Sequence, residues 1–479
     1  MSDTEKVMNR WLVVAGALII QISLGAVYIW SVFETPLRSY FPDWSATQVT
    51  IPAQIVLASF ALAVIFGGRI QDKLGPRKVA TVGGIILGAG LILARFTGGF
   101  ESQGIALAWL IFTFAIMGGA GIGAAYVCPI ATCVKWFPDK RGLITGLAVA
   151  GFGAGAFFFA PLARGLISGT PYSLFGVGLF PLPAIGVFNT FMVLGIIFLV
   201  AVVAGAQFLV NPPAGYVPEG WTPPAAAAAA GVKVDFGPKE MLRNPVFWML
   251  WITYFAGCTA GLQVIMKASP IWQSFRIGVF TPPVPADDFT AVMTAGALAV
   301  SILAIFNSLG RILWGKVSDS LGREKTLIFM FAICGIAMLL LDVMRLYPLY
   351  LLAVCLIGLC FGGYLALYPA ITADYFGTKH LGVNYGWMFT AYGAGGLAGP
   401  YLAARLMRIS DTVQYQAVEG EAIVLKTFDI GQFRPAFIVA GVACLIAAVL
   451  AAFLKKPAAV NEMTEPAIDA AADAIGSGK

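Results

Sequence analysis

The chain has 479 residues, of which hydrophobic residues make up 59% and charged residues only 11%. A soluble domain is roughly 25% charged, so this composition excludes an ordinary water-soluble globular protein and indicates a membrane protein. The formal net charge of +6 comes from basic residues spread over short loops, with no stripe beside aromatic residues, which argues against a nucleic-acid partner.

Twelve apolar segments follow one another along the chain, each close to the roughly 20 residues that a helix needs to cross a hydrocarbon core. They are continuous rather than alternating, which predicts helices and not barrel strands. The first is too long for a cleavable signal and lacks a small-residue cleavage site, so we expect it to remain as a helix. The predicted spans lie near 11–33, 49–70, 79–98, 104–133, 142–166, 184–210, 246–269, 289–314, 326–344, 348–372, 385–407 and 433–454.

Basic residues concentrate in the loops on one side of the predicted bundle. By the positive-inside rule that side is cytoplasmic, which puts both termini of this multi-pass protein in the cytoplasm. We expect the membrane to be a bacterial-type inner (plasma) membrane. The loops in question carry Lys73, Lys78, Lys140, Lys316 and Lys325.

Composition divides the chain into two bundles, a linker and a tail. Residues 1–210 and 244–456 are each expected to form a six-helix bundle. Residues 211–243 begin NPPAGYVPEGWTPP and continue into an alanine tract, which predicts a proline-stiffened cytoplasmic linker. The tail, 457–479, is rich in alanine and is predicted to be disordered. Neither stretch indicates a catalytic or output domain, so a membrane enzyme or a sensor is the weaker interpretation.

One sequence motif occurs twice: GRIQDKLGPRK at 68–78 returns as GKVSDSLGREK at 315–325. Such a repeat predicts a duplicated membrane fold with two pseudo-symmetric halves. In each copy the aspartate can accept hydrogen bonds from a neighbouring helix N-terminus, and the arginine after the second glycine can pair with an acidic group or a lipid headgroup. These charges can latch the cytoplasmic side, or they can serve only to fix the topology. The predicted gating residues are Asp72, Arg77, Asp319 and Arg323.

With this motif, the whole chain resembles the major facilitator superfamily. Three segments, NRWLVVAG at 9–16, KWFPDKRGLITG at 135–146 and EMLRNPVFWMLW at 240–251, are similar to the oxalate:formate antiporter family, which is related to monocarboxylate transporters. The resemblance implies an all-α polytopic membrane protein with twelve transmembrane helices in two six-helix halves. It also implies alternating access about a central site that takes a small carboxylate anion.

Arg311 is the outstanding ionisable residue within a predicted span. A buried guanidinium must be paired or hydrated, and its fork can hold a carboxylate through two parallel hydrogen bonds. Alternatively, the side chain snorkels to the cytoplasmic surface, four residues before Gly315. The similarity of NSLGRILWG at 307–315 to the family's helix 8 implies that Arg311 anchors the carboxylate, with Asn307 beside it. Asn307 stands where animal-type monocarboxylate transporters keep an aspartate, so proton coupling through that carboxylate has no counterpart here.

The resemblance further implies aromatic groups around this anchor, although ordinary helix packing explains any one of them equally well. Phenols can donate to a carboxylate while keeping water away from it. The predicted residues are Tyr28, Tyr126, Phe361 and Tyr392. Tyr392 takes the place of a lysine in the oxalate:formate antiporter, so a dianion would keep one charge uncompensated. We therefore expect a monocarboxylate substrate.

Coupling has no obvious carboxylate relay, because no Asp or Glu lies in the middle of a predicted span. The proton must then travel with the substrate or through groups at helix ends, or one anion must exchange for another. The leading prediction is a secondary transporter of lactate- or pyruvate-type monocarboxylates coupled to protons. The alternative is an oxalate:formate-type organic anion antiporter.

Other classes of function have little support in the sequence. The seven cysteines are read as packing residues and His380 has no ligand neighbours at metal spacing, so no metal or cofactor is predicted. A GxxxxGK[ST] loop for ATP is absent from the sequence. We expect a monomer that is not an enzyme and whose partners are its anion, a proton or counter-anion, and membrane lipid.

Overall fold

The computed structural model describes residues 8–174, 177–213, 215–218, 235–406, 408–419 and 422–457. Residues 214 and 219–234 of the predicted linker, which include its alanine tract, and the tail after residue 457, for which disorder was predicted, lie outside these ranges. Within them the chain forms long helices that run back and forth, with two β-hairpins between helices.

The helices before the linker follow the predicted spans closely. They are α1 (Arg10–Leu24), α2 (Ser31–Tyr40), α3 (Ala46–Leu74), α4 (Pro76–Ala94), α5 (Gln103–Leu110), α6 (Gly118–Trp136), α7 (Arg141–Ser168) and α8 (Gly186–Ala206). A 3₁₀ segment, Gly25–Ile29, extends α1, and a π-helix, Ile111–Met117, joins α5 to α6 as one span. Ser45 caps α3 by accepting from the Gln48 N–H, and the Gln48 side chain accepts from the Ser45 N–H in return.

The remaining helices complete the bundle, and the first of them, Pro238–Arg243, forms within residues 211–243, where only a linker was predicted. They are α9 (Pro238–Arg243), α10 (Pro245–Ile277), α11 (Ala286–Leu321), α12 (Arg323–Leu340), α13 (Tyr347–Phe376), α14 (Leu381–Leu406) and α15 (Arg434–Ala452). Ten helices in the described ranges are long and apolar enough to cross a membrane, and α12 and α14 occupy the positions of the predicted ninth and eleventh spans. The predicted class, a polytopic membrane protein built from helices, is confirmed.

The glycines of the repeated motif have a clear structural role. Gly75 ends α3 with φ 88° and Gly322 ends α11 with φ 93°, and in both places the next helix begins at the following residue. Side chains other than glycine rarely adopt such positive φ values. The motif therefore encodes a reversal of the chain within one residue, and it does so twice.

Two hairpins were not foreseen in the sequence. β1 (Tyr172–Leu174) pairs antiparallel with β2 (Val177–Phe180) between α7 and α8. The longer pair, β3 (Arg408–Glu419) and β4 (Ala422–Gln432), joins α14 to α15.

The longer hairpin is fastened to the loop before α11. The Val284 N–H donates to the Gln414 carbonyl at 2.9 Å, and the Gln416 N–H donates back to the Val284 carbonyl at 2.9 Å. The rings of Phe289 and Tyr415 stack with centroids 3.7 Å apart. The hairpin is thus held by both backbone and side chains.

The alternating direction of the helices gives the bundle two ends. We call the end that carries the turns at Gly75 and Gly322 the motif end, and the end that carries the two hairpins the hairpin end. Helices α7, α10 and α14 start at the motif end, whereas α3, α11 and α13 finish there.

Candidate functional site

Arg311 lies inside the bundle, with 0% of its surface exposed. Its Nη1 donates to the Val149 carbonyl on α7 at 2.6 Å, and its Nε reaches Asn307 Oδ1 at 3.5 Å. Nη2 is buried and has no hydrogen-bond partner among the described residues. The guanidinium therefore crosses from α11 to α7 and keeps one face of its fork available. A snorkelling arginine, the alternative considered above, would be exposed.

Glycines on α7 make room for this arrangement. A Cβ at Gly146 would lie 2.1 Å from the Arg311 carbonyl oxygen, and a Cβ at Gly153 would lie 3.2 Å from Arg311 Cζ. Helices approach this closely only where side chains are absent. Each of the two positions faces a different part of the same residue, its backbone and its guanidinium.

Asn307 lies one turn before Arg311 and packs against α13. A Cβ at Gly362 would lie 1.9 Å from the Asn307 carbonyl oxygen, so α11 and α13 are in backbone contact here. Asn307 Oδ1 lies between this contact and the arginine: it would be 2.9 Å from the Cβ at Gly362, and it is 3.5 Å from Arg311 Nε. As a neutral amide, it orients the guanidinium without neutralising it.

Two of the predicted aromatic residues meet directly across the bundle. The hydroxyls of Tyr28, which follows α1, and Tyr392, on α14, are 2.6 Å apart. Phe361 stands farther off, with its ring centroid 6.5 Å from that of Tyr392. These three side chains thus form one continuous group.

The fourth predicted residue, Tyr126 on α6, belongs to a larger aromatic cluster. Its ring centroid lies 5.0 Å from Phe60, 5.1 Å from Phe152 and 5.1 Å from Phe389. Phe152 also contacts Tyr28 at 5.4 Å, and Phe389 stacks on Tyr392 at 4.7 Å. Through Phe152 and Phe389, the cluster around Tyr126 is continuous with the group formed by Tyr28, Tyr392 and Phe361.

Sequence reasoning missed Phe60, Phe152 and Phe389. One signal was present: positions 385, 389 and 392 on α14 are all aromatic and share a helix face, and Tyr392 was already a candidate. Phe60 and Phe152 lie in uniformly apolar spans, where periodicity gives no such indication.

The motif end is closed by two crossed contacts. Asp72 accepts from the N–H groups of Gly382 and Val383, the first turn of α14, at 3.1 and 2.9 Å. Asp319 accepts from the N–H groups of Gly142 and Leu143, the first turn of α7, at 2.8 Å each. Each aspartate therefore caps a helix of the opposite half, where free N–H groups and the helix dipole favour a negative charge.

The helix backbones also touch at these contacts. A Cβ at Gly68 would lie 2.1 Å from the Gly382 carbonyl oxygen, and one at Gly315 would lie 2.3 Å from that of Gly142. Gly68 and Gly315 belong to the repeated motif, and Gly382 and Gly142 to the helices that its aspartates cap. Because these residues have no side chains, the helix backbones can come into contact at the motif end.

The two copies differ in their arginines. Arg323 contacts Asp319 at 2.8 Å and Asp374 at 2.9 Å, and Asp374 also pairs with Arg141 at 2.6 Å. Arg77, by contrast, is exposed, and the described residues offer it no hydrogen bond or ion pair. The structure therefore brings three of the four predicted gating residues into the contacts, while Arg141 and Asp374 were missed.

Across the described ranges no group of three His, Cys, Asp or Glu residues could hold a metal ion. The sulfurs of Cys334 and Cys444 approach to 3.8 Å in the interior of the helices after the linker.

Comparison with known proteins gives the context of this geometry. The family model of the Major Facilitator Superfamily matches residues 7–278 and 271–476. The oxalate:formate antiporter of Oxalobacter formigenes is 30% identical over 409 residues, covering 83% of this chain and 85% of that protein. The uncharacterized MFS-type transporter YhjX of Escherichia coli (strain K12) is 27% identical over 399 residues, covering 83% and 88%. Apicoplast pyruvate carrier 1 of Toxoplasma gondii is 26% identical over 508 residues, covering 89% of each.

Proposed function

The chain belongs to the Major Facilitator Superfamily, and from this premise we propose that it is a secondary transporter of small monocarboxylates of the lactate and pyruvate type. Arg311 binds the carboxylate, and access to it alternates between the two ends of the bundle. Among the relatives, one is named for pyruvate and one for oxalate and formate, which supports a small carboxylate as the substrate.

The observation that carries the proposal is the unpartnered Nη2 of a fully buried arginine. A guanidinium is always charged, and burying one without a counter-charge is costly, so the site favours an anion. The described contacts of the guanidinium are a carbonyl and an amide, both neutral. A carboxylate placed at Nη2 would supply the missing charge and accept a charge-assisted hydrogen bond.

The proposal of a monocarboxylate, rather than a dicarboxylate, rests on Tyr392. Tyr392 shares a hydrogen bond with Tyr28 and brings no positive charge. One fixed cation balances one carboxylate, whereas the second charge of oxalate would be desolvated with little compensation. The second candidate, an oxalate:formate-type antiporter, is favoured by the 30% identity to a protein of that name.

The membrane arrangement is part of the same proposal. Residues 1–210 and 244–456 act as two six-helix bundles, with the motif end in the cytoplasm and both termini there. Protons drive uptake by travelling with the substrate, since the described contacts of Arg311 contain no carboxylate to relay them. The protein acts as a monomer in a bacterial-type inner membrane.

Uptake of labelled L-lactate into proteoliposomes with an inward proton gradient tests this function. Arg311→Gln should lower uptake about 100-fold or more, because it removes the charge that pairs with the carboxylate. Arg164→Gln is the matched control. Arg164 is exposed near the C-terminal end of α7, so this variant should transport lactate like the wild type. Oxalate entry only into formate-loaded vesicles, with no lactate uptake, would instead establish the antiporter.

A further inference from the structure

Two residues within the predicted linker are held in a definite place on the bundle. Phe236 is only 3% exposed, and its ring packs edge-on against that of Phe376, the last residue of α13, with centroids 5.7 Å apart. Asp235, the residue before it, is half-buried. A segment that served only as a flexible connection would leave both side chains in water. These two residues are therefore docked on the second half of the chain.

Both residues bond to the turn between α13 and α14. The Phe236 N–H donates to the Phe376 carbonyl at 3.0 Å, at the end of α13, where helix carbonyls lack a partner within the helix. Asp235 Oδ1 accepts from the Lys379 N–H, in the turn itself, at 3.0 Å. The Phe236 carbonyl accepts from Asn384 Nδ2, in the first turn of α14, at 2.9 Å. Three hydrogen bonds thus hold the end of one helix, the turn and the start of the next helix.

The start of α14 is also the part of the bundle that Asp72 of α3 caps. Gly382 and Val383 donate their backbone N–H groups to Asp72, and the next residue, Asn384, donates its side chain to Phe236. Asn384 is 0% exposed, so its amide is fixed in this place by packing. A carboxylate caps a helix well only when the N–H groups point at it, so the orientation of this turn decides how well Asp72 closes the motif end.

The first half of the chain has a comparable contact made by different residues. Arg10, at the start of α1, pairs with Asp139 at 2.9 Å, and its guanidinium lies 4.3 Å from the centroid of the Phe137 ring. Phe137 and Asp139 belong to the turn before α7, the helix that Asp319 caps. In both halves, a residue at or before the first long helix therefore holds the turn that leads into a capped helix.

We propose that Asp235, Phe236 and Asn384 are positioning residues for transport, which fix the first turn of α14 so that its N–H groups meet Asp72 when the motif end closes. They act through Asp72 and do not touch the substrate. Loss of the linker contact lets the turn move away from the carboxylate and weakens its charge-assisted hydrogen bonds. The linker thereby biases the balance between the two orientations of the carrier.

Alkylation of a cysteine at position 383 measures opening of this contact. Val383 is 5% exposed and bonds to Asp72 through its backbone, so Val383→Cys keeps the hydrogen bond. Asp235→Ala and Asn384→Ala each remove one hydrogen bond and should raise the alkylation rate about fivefold. Asp235→Asn should restore the wild-type rate, because its amide oxygen can still accept from the Lys379 N–H.

A double-mutant cycle tests whether the linker contact acts through Asp72. In the Asp72→Asn background the capping hydrogen bonds are already weakened, so Asp235→Ala should raise the alkylation rate by less than about twofold. A rise of about fivefold in that background would mean that the first turn of α14 frays by itself, and the positioning role would be refuted.

Two controls separate this role from a general loss of stability. Lys239→Ala, an exposed position on α9 three residues after Phe236, should leave the alkylation rate unchanged. Thr145→Cys, buried on α7 beside the contact of Asp319, should be alkylated at the wild-type rate in Asp235→Ala. No rise at position 383, or an equal rise at both reporters, would overturn the proposal. Alkylation needs no transported substrate, so the result is independent of which anion the protein carries.

Discussion

Gly146→Ala should loosen the contact between α7 and α11. The new Cβ would lie 2.1 Å from the Arg311 carbonyl oxygen. Carbon and oxygen atoms rarely approach below about 3.0 Å, so the helices must separate by roughly 0.9 Å, and neither partner is a flexible side-chain end. Overpacking of this kind costs about 1–3 kcal/mol. If that cost falls on the closed state of the motif end, the ratio of open to closed protein rises about 5- to 150-fold.

Alkylation of an introduced cysteine would measure the shift. Thr145 is fully buried on α7, one turn before Val149, so Thr145→Cys reports on opening of this region. The seven native cysteines are all buried and free. Alkylation of the protein without Thr145→Cys measures their background labelling. The alkylation rate of the reporter should rise 5- to 150-fold in Gly146→Ala, and transport should fall.

Gly118→Ala is the control for the substitution itself. Gly118 is a buried glycine in α6, but a Cβ there would meet its nearest neighbour, Leu91 Cδ1, at 3.7 Å, an ordinary contact. It should leave both readouts unchanged. Wild-type alkylation and transport in Gly146→Ala would refute the close approach of the two helices.

Three further changes address other contacts. Asp319→Asn removes the charge that accepts from two backbone N–H groups, so alkylation at the motif end should rise about tenfold; Asp342→Asn, at the hairpin end, should not alter it. Tyr28→Phe breaks the bond to Tyr392 and should raise the KM for lactate severalfold, and an unchanged KM would remove Tyr28 from the site. Tyr415→Ala removes the ring that stacks on Phe289, so trypsin should cleave at Lys426 in β4 several times faster. An unchanged rate would mean that the backbone hydrogen bonds alone hold the hairpin.

The sequence contains enough to predict the spans and the motif turns, because both depend on local chemistry. Length and apolarity identify a membrane helix, and the positive φ at Gly75 and Gly322 needs glycine. Placement of Arg311 on a helix face near the centre could also be predicted, since a membrane arginine seldom faces lipid.

Contacts between residues far apart in the chain could not be predicted in the same way. Arg141 and Asp374 are separated by 233 positions, and each resembles an ordinary helix-end charge until the two halves are assembled. The same holds for Phe60, which is one apolar residue among many in α3. The longer hairpin did leave a trace, the alternation VQYQA at 413–417, which is typical of a half-exposed strand.

The crossed contacts at the motif end have the form of an isologous interface. Asp72 of the first half accepts hydrogen bonds from the start of α14 in the second half, and Asp319 of the second half accepts them from the start of α7 in the first. A homodimer of half-length chains makes such reciprocal contacts from a single sequence, because a twofold axis repeats every contact. Fusion of the halves releases that constraint. Arg323 lies in ion pairs and Arg77 in solvent, so the two copies of the motif differ in their surroundings, and a change at one contact can alter closure there without altering the other.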